Sequence, residues 1–250
     1  MTVPSRRHFL TAGALAGLGA AAVGACSRRS DPSDAPLVHG RHGITEDTSG
    51  LTPEAAQRKL ADGNARFVAM REVDPNVSTD RLMAISNGQR PFAGILGCVD
   101  SRVPPELVFD RGLGDLFDAR IAGAIADDAA IGSLEFGVEE FGVPLVVVMG
   151  HSKCGAVTAA VKSLDSRSAA PAGRIGAVVN PILPAVKAAR AQGVTGGADL
   201  INAAARDVVG DGVRALRSSP VLTGRLAAGN LAVIGAFYDL DTGRVEFLSG

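Results

Sequence analysis

Downstream of residue 50 the chain holds two cysteines and one histidine: Cys98, His151 and Cys154. Two thiolates and an imidazole are a ligand set for zinc (Zn2+), and three protein ligands leave a fourth position open for chemistry. His151 and Cys154 stand three apart in Gly150-His151-Ser152-Lys153-Cys154-Gly155, so both can reach one ion from a strand-to-helix turn. Cys98 opens Cys98-Val99-Asp100-Ser101-Arg102, which puts a carboxylate and a guanidinium beside a ligand. Asp100 can accept a hydrogen bond from a metal-held water, and Arg102 can clamp Asp100 as an ion pair that keeps it ionised. Residue types alone leave other readings open. The cysteines also fit as small buried hydrophobes or as a disulfide, and Asp100 with Arg102 as a turn-stabilising salt bridge.

The elements that must position these side chains follow from patterning. Phe92 to Gly97 is a short apolar run that stops at Cys98, and Leu145 to Met149 is a β-branched run that leads into His151. Both read as strands buried on two faces. If the two strands are neighbours, the three ligands converge at their carboxyl ends, where an open parallel sheet binds its ligands. Leu116 to Ile121, Leu231 to Tyr238 and Arg244 to Leu248 complete the strand candidates, the last an antiparallel edge strand after the turn Asp239 to Gly243. Thr52-Pro53-Glu54 reads as a helix start, Ile131 to Phe141 as an amphipathic helix ended by Gly142, and Ala156 to Leu164 as a helix. That last helix is expected to aim its first N–H groups at the site and favour a bound anion. Residues 165–230 read as mostly helical, with Ile175, Val178, Val179, Ile182 and Val186 on one face and Pro181 and Pro184 expected to bend or break the helix. Strands alternating with helices predict an α/β domain: a mostly parallel, doubly wound sheet of about four strands, helices on both faces, and the C-terminal antiparallel edge.

Composition sets the outer limits. The 250 residues carry 25 Lys and Arg against 26 Asp and Glu, a formal charge of −1, so no basic excess points to nucleic acid. A hydrophobic share of 46% with 20% charged residues excludes a disordered chain, and three cysteines are too few for a disulfide scaffold. Ser5-Arg6-Arg7-His8-Phe9-Leu10 before the Ala- and Gly-rich run Ala12 to Ala25 predicts a twin-arginine type signal peptide over 1–26. The run is shorter than the about 20 apolar residues of a membrane span. Val23-Gly24-Ala25-Cys26 resembles a lipobox, which makes Cys26 the lipidation site and the lipid anchor its only membrane contact; ordinary cleavage near Ala25 is the alternative. Residues 27–50 are polar and aperiodic and read as a flexible linker, with His39 and His42 solvated rather than ligating. The folded domain is expected over 51–250, outside the cytoplasm.

Cys-x-Asp-x-Arg followed by a strand ending in His-x-x-Cys resembles the β-class carbonic anhydrases. The stretches CVDSRVPPELVFDRGLGDLF, GSLEFGVEEFGVPLVVVMGHSKCGAV and AVIGAFYDLDTGRVEFL are similar to the same family. The resemblance implies zinc held by Cys98, His151 and Cys154, with zinc-bound hydroxide converting carbon dioxide to bicarbonate and a proton. It implies Asp100 and Arg102 as the catalytic dyad, and Asp100 as a conditional fourth ligand once it leaves Arg102. It also implies a homodimer or higher homo-oligomer. Carbon disulfide or carbonyl sulfide as substrate, and a non-catalytic zinc or bicarbonate-binding module, are the alternatives. Ala124 stands where relatives commonly have Asn, Ile125 to Ala130 lacks the aromatic of plant relatives, and without Trp the chain lacks the bicarbonate pocket of some bacterial members.

Overall fold

A computed structural model describes residues 50–165 and 173–248. Five strands form one sheet in the order β2-β1-β3-β4-β5. They are β1 (Ala93–Gly97), β2 (Leu116–Arg120), β3 (Leu145–His151), β4 (Ala232–Tyr238) and β5 (Val245–Leu248). The first four run parallel and β5 pairs antiparallel with β4. The order runs outward from β1 in both directions, to β2 on one side and β3 on the other. The reversal point therefore lies between β1 and β3, whose register aligns Gly97 with Met149. Cys98 leaves β1 one residue past that pair, and His151 closes β3 two residues past it. A sheet of this kind opens its ligand crevice at that point.

Alternation along the buried strands divides the core into two layers. Leu145, Val147 and Met149 of β3 and Ile95 of β1 pack with helices α1 (Pro53–Val68), α5 (Gly155–Asp165) and α6 (Ile175–Ala191). Val146 and Val148 and Leu96 face α4 (Asp128–Phe141) and α8 (Pro220–Ala227) on the other side. Helix α7 (Gly197–Arg217) serves both layers, Leu200 and Ala204 entering the first and Val209, Val213 and Leu216 the second. Each fully buried Val, Leu or Ile contributes about 1.5–3 kcal/mol, so these runs fix the strand positions firmly. Gly150 has a packing role: a Cβ there would lie 2.7 Å from a Val209 methyl, so only glycine lets α7 lie this close beside His151.

The helix signals read from sequence hold. Thr52 caps α1, its side chain accepting from Ala55 N–H at 3.2 Å, and Gly142 ends α4 at φ 69 in the left-handed region. Buried Asn64 of α1 donates to the carbonyls of Val108 (3.1 Å) and Gly243 (2.9 Å) and accepts from Val245 N–H (2.9 Å), joining α1 to the β4–β5 hairpin. Two short helices, α2 (Thr79–Ile85) and α3 (Pro105–Val108), carry too little periodicity to be predicted. The expected break at Pro181 and Pro184 does not occur. Helix α6 runs unbroken through Pro181 and Pro184. Both prolines lie on its exposed side, as do Ala177 and Asn180, whose carbonyls lose their N–H partners to the prolines; water can satisfy them. The apolar face is Val179, Ile182, Ala185, Val186 and Ala189, while Ile175 is exposed. Among the described residues no helix is long and apolar enough to cross a membrane. The expected signal, the Cys26 lipidation site, His39, His42 and nearly all of the linker lie outside the described residues.

Candidate metal centre

The β1–β3 crevice brings the three predicted ligands together. Sγ of Cys98, Sγ of Cys154 and a ring nitrogen of His151 all lie within 4.8 Å of one another, and all three residues are buried. His151 owes its orientation to the chain that follows it. Ser152 N–H donates to Tyr238 O at 2.9 Å, extending the β3–β4 pairing, and the Ser152 carbonyl faces His151 Nδ1 at 2.9 Å. A carbonyl only accepts, so Nδ1 carries the proton and Nε2 presents its lone pair. That Nε2 is buried and has no hydrogen-bonding partner. Lys153 then turns through φ 56, held by its N–H on Asn202 Oδ1 at 3.1 Å and its ion pair with Asp241. This turn delivers Cys154 to the start of α5. There the Ala156 and Val157 N–H groups favour negative charge on its sulfur. The helix N-terminus thus faces the site, as expected, and its positive end favours negative charge there.

Cys98 is gripped from the neighbouring strand. Gly123 N–H donates to its Sγ at 3.3 Å, and Arg120 Nε donates to its carbonyl at 2.9 Å. A hydrogen bond from the Cys154 thiol, resisted by burial and reinforced by His151 and the N–H groups of Gly123 and Asp100, brings the Cys98 thiol down to about 4. The Cys154 thiol moves up in turn, because its proton is held against the Cys98 sulfur. Burial opposes charge on His151, yet the Cys98 sulfur draws positive charge toward Nε2, where a cation would take the place of a proton. An anionic sulfur, a second sulfur and an unpartnered imidazole lone pair around one point form a pocket that favours a cation. The soft and borderline donors fit zinc.

Asp100 stands outside this triad and is held by Arg102. Nε donates to Oδ1 at 2.9 Å, Nη2 to Oδ2 at 2.7 Å, and the Arg102 N–H to Oδ1 at 3.0 Å. These bonds keep the Asp100 carboxyl far below the ordinary carboxylate range. Both oxygens accept from Arg102, which fixes the carboxylate beside the triad and leaves each oxygen capacity for a further bond.

The comparisons agree with one another. A family model described as "Carbonic anhydrase" matches residues 93–245. Carbonic anhydrase 2 of Mycobacterium tuberculosis is 41% identical over 192 residues, covering 77% of this chain and 91% of the relative. The carbonic anhydrase of Mycolicibacterium smegmatis is 40% identical over 197 residues, covering 79% and 94%. A β-carbonic anhydrase of Aspergillus fumigatus superposes with a TM-score of 0.62 at 25% identity, over 78% of this chain and 90% of that one. This chain belongs to the β-class carbonic anhydrases. As a β-carbonic anhydrase it is a lyase, a carbonate dehydratase, and its parallel sheet with helices on both faces is that family's fold.

Within this β-carbonic anhydrase the loop after β2 passes through two residues at positive φ. Ala124 is buried at φ 55, a conformation that costs an alanine about 1 kcal/mol, and its N–H bonds to Ile121 O at 2.8 Å. Gly123 before it has φ 80, and a Cβ there would lie 2.7 Å from Ile182 Cδ1. Gly123→Ala is expected to cost about 1–3 kcal/mol of stability and, by moving the N–H away from Cys98, about tenfold in metal affinity. Thermal denaturation and competition with a chelator measure the two effects.

Sequence reading missed Arg120, whose only signal was a cation closing a strand at the same sheet edge. It also missed Asp118, two residues earlier on β2. Neither carboxyl oxygen of Asp118 has a partner, and burial, with Glu106 beside it, pushes it up to about 8. The unfolded chain gives up that proton at about pH 4. The folded state therefore holds the extra proton between those values, and stability declines as pH rises through the window. Asp118→Asn is expected to flatten that slope and to be about 1–3 kcal/mol more stable than the parent at pH 8, with the gain shrinking toward pH 4. Denaturant titrations at the two ends of the window test it.

Proposed function

We propose that this chain is a zinc enzyme that interconverts carbon dioxide and bicarbonate, releasing a proton in the hydration direction. The observation that carries the reading is the buried Cys98, His151 and Cys154 triad with an unpartnered Nε2, beside a carboxylate locked in its ionised form. Cys98 and Cys154 would hold the ion through sulfur and His151 through Nε2. Zinc bound there supplies Lewis acidity that lowers the pKa of a water molecule, less strongly than with three imidazoles because two thiolates offset its charge.

The chain's own residues do the rest. Asp100 would accept a hydrogen bond from a water held there and so orient it toward carbon dioxide. Arg102 fixes the carboxylate by two parallel bonds and keeps it unprotonated. Breaking both bonds would free Asp100 to become the fourth ligand of a resting state. Gly123 N–H and the first N–H groups of α5 neutralise part of the sulfur charge. His151 is a ligand and the only histidine of the described residues, so the proton leaves through water and buffer. Activity is expected to climb from about pH 6.5 to about pH 9. Asp100, ionised throughout, adds no inflection of its own; a profile flat from acid to neutral pH contradicts this.

The same proposal places the domain outside the cytoplasm. Residues 1–26 direct export, Cys26 carries the lipid, and 27–50 tether the domain of 51–250 to the membrane face. Folding and metal loading before export protect two thiols that would otherwise oxidise. A homodimer or larger assembly fits exposed Val99, between ligand and dyad, and exposed Leu107 on α3. A relative from Sordaria macrospora, 25% identical with a TM-score of 0.61 over 68% of this chain and 86% of its own, is tetrameric. Stopped-flow hydration with a pH dye, run beside metal analysis of the same sample, tests the activity. Turnover in proportion to zinc supports it, and full zinc with no hydration overturns it. Loss of membrane attachment in Cys26→Ser tests the anchor.

A further inference from the structure

Segment 120–123 grips the start of the active loop at four points. Ile121 N–H donates to Gly97 O at 2.9 Å, Arg120 Nε to Cys98 O at 2.9 Å, Arg120 Nη2 to Asp100 O at 2.7 Å, and Gly123 N–H to Cys98 Sγ at 3.3 Å. The two side-chain bonds span a ligand and the dyad carboxylate's residue. We infer that Arg120 is a positioning residue for the hydration reaction: its guanidinium locks Cys98 and Asp100 into one unit by holding both backbone carbonyls, and so sets where the Asp100 carboxylate stands relative to the metal.

Asp100 is thereby held at both ends, its carboxylate by Arg102 and its carbonyl by Arg120. The two arginines differ in setting. The Arg102 side chain is 54% exposed and works from the solvent side, whereas Arg120 is half-buried at the end of β2, opposite Gly97 in the register. A planar fork is needed because the two carbonyls belong to residues two apart; a lysine ammonium is a single point that suits one of them. An acid two residues earlier on the same strand, Asp118, is the one whose charge would draw on the guanidinium. It makes no hydrogen bond and, raised by burial, stays protonated at neutral pH, so Arg120 remains committed to the loop.

The inference rests on the hydration activity proposed above and is tested on the zinc-loaded full chain with Arg120→Met and Arg120→Lys. Both are expected to keep the parent's zinc content, since no metal ligand changes. Arg120→Met is expected to lose about 100-fold in kcat with little change in KM, the cost of a misplaced catalytic group, and Arg120→Lys to recover part of it. Independently of activity, amide exchange over residues 98–104 is expected to quicken about tenfold in Arg120→Met, the cost of the lost charged hydrogen bonds. Unchanged exchange overturns the clamp whether or not the parent enzyme turns over. Faster exchange with kcat within twofold of the parent, or with activity lost only in step with zinc, overturns the positioning role. Absence of hydration in the parent itself overturns the functional reading, and the exchange measurement still decides the clamp.

Discussion

Cys98→Ser and His151→Ala are each expected to strip the protein of its metal and take carbon dioxide hydration to the uncatalysed background. The serine hydroxyl is nearly isosteric with the thiol but stays protonated near neutral pH, whereas the Cys98 sulfur is brought down to about 4 by its hydrogen bonds. Gly123 N–H and Asp100 N–H, both aimed at an anion, would then face a neutral oxygen. His151→Ala removes the only unpartnered imidazole lone pair among the described residues and leaves Ser152 O without its donor. Altering the partners of a ligand already costs 10–100-fold in affinity, so loss of the ligand itself is expected to cost more than about 100-fold. Metal analysis after gel filtration, beside stopped-flow hydration, reads both effects. Retained zinc with full activity in either variant contradicts the ligand set.

Asp100→Ala and Asp100→Asn are expected to separate metal binding from turnover. Neither changes a ligand, so zinc content stays at the parent's level. The group that accepts the water's hydrogen bond is lost, and positioned acid–base groups contribute about 10²–10⁴-fold, so kcat is expected to fall within that range. Stability is expected to change little: with Arg102 more than half exposed, solvent screens most of the pair's Coulomb energy. The Asn variant is the sharper one, because its amide nitrogen would meet the guanidinium donor to donor. Full zinc with kcat within tenfold of the parent would remove Asp100 from the mechanism.

The site was legible in the sequence because its ligands sit at element ends. A β-branched run halting at Gly150-His151 and an apolar run halting at Cys98 mark strand termini by composition alone, and the crossover rules for parallel sheets bring such termini to one edge. The dyad was legible because a single residue, Ser101, separates Asp100 from Arg102, short enough for a local ion pair. What sequence could not give is what one strand does to another. Arg120 reaches Cys98 across 22 positions and Gly123 reaches it across 25, contacts set by the β1–β2 register rather than by any motif. The prolines of α6 misled for a related reason: the rule that proline breaks helices presumes a carbonyl left dry, and these carbonyls lie on the wet face. Asp118 carries no signal within its strand candidate, and only the folded packing buries its carboxyl with Glu106 beside it.

Zinc K-edge X-ray absorption on the purified full-length protein addresses the metal centre most directly. Two sulfurs and one imidazole nitrogen around zinc, with one further light-atom ligand, are predicted. A sample without zinc whose sulfur edge reports a disulfide between Cys98 and Cys154 would contradict it.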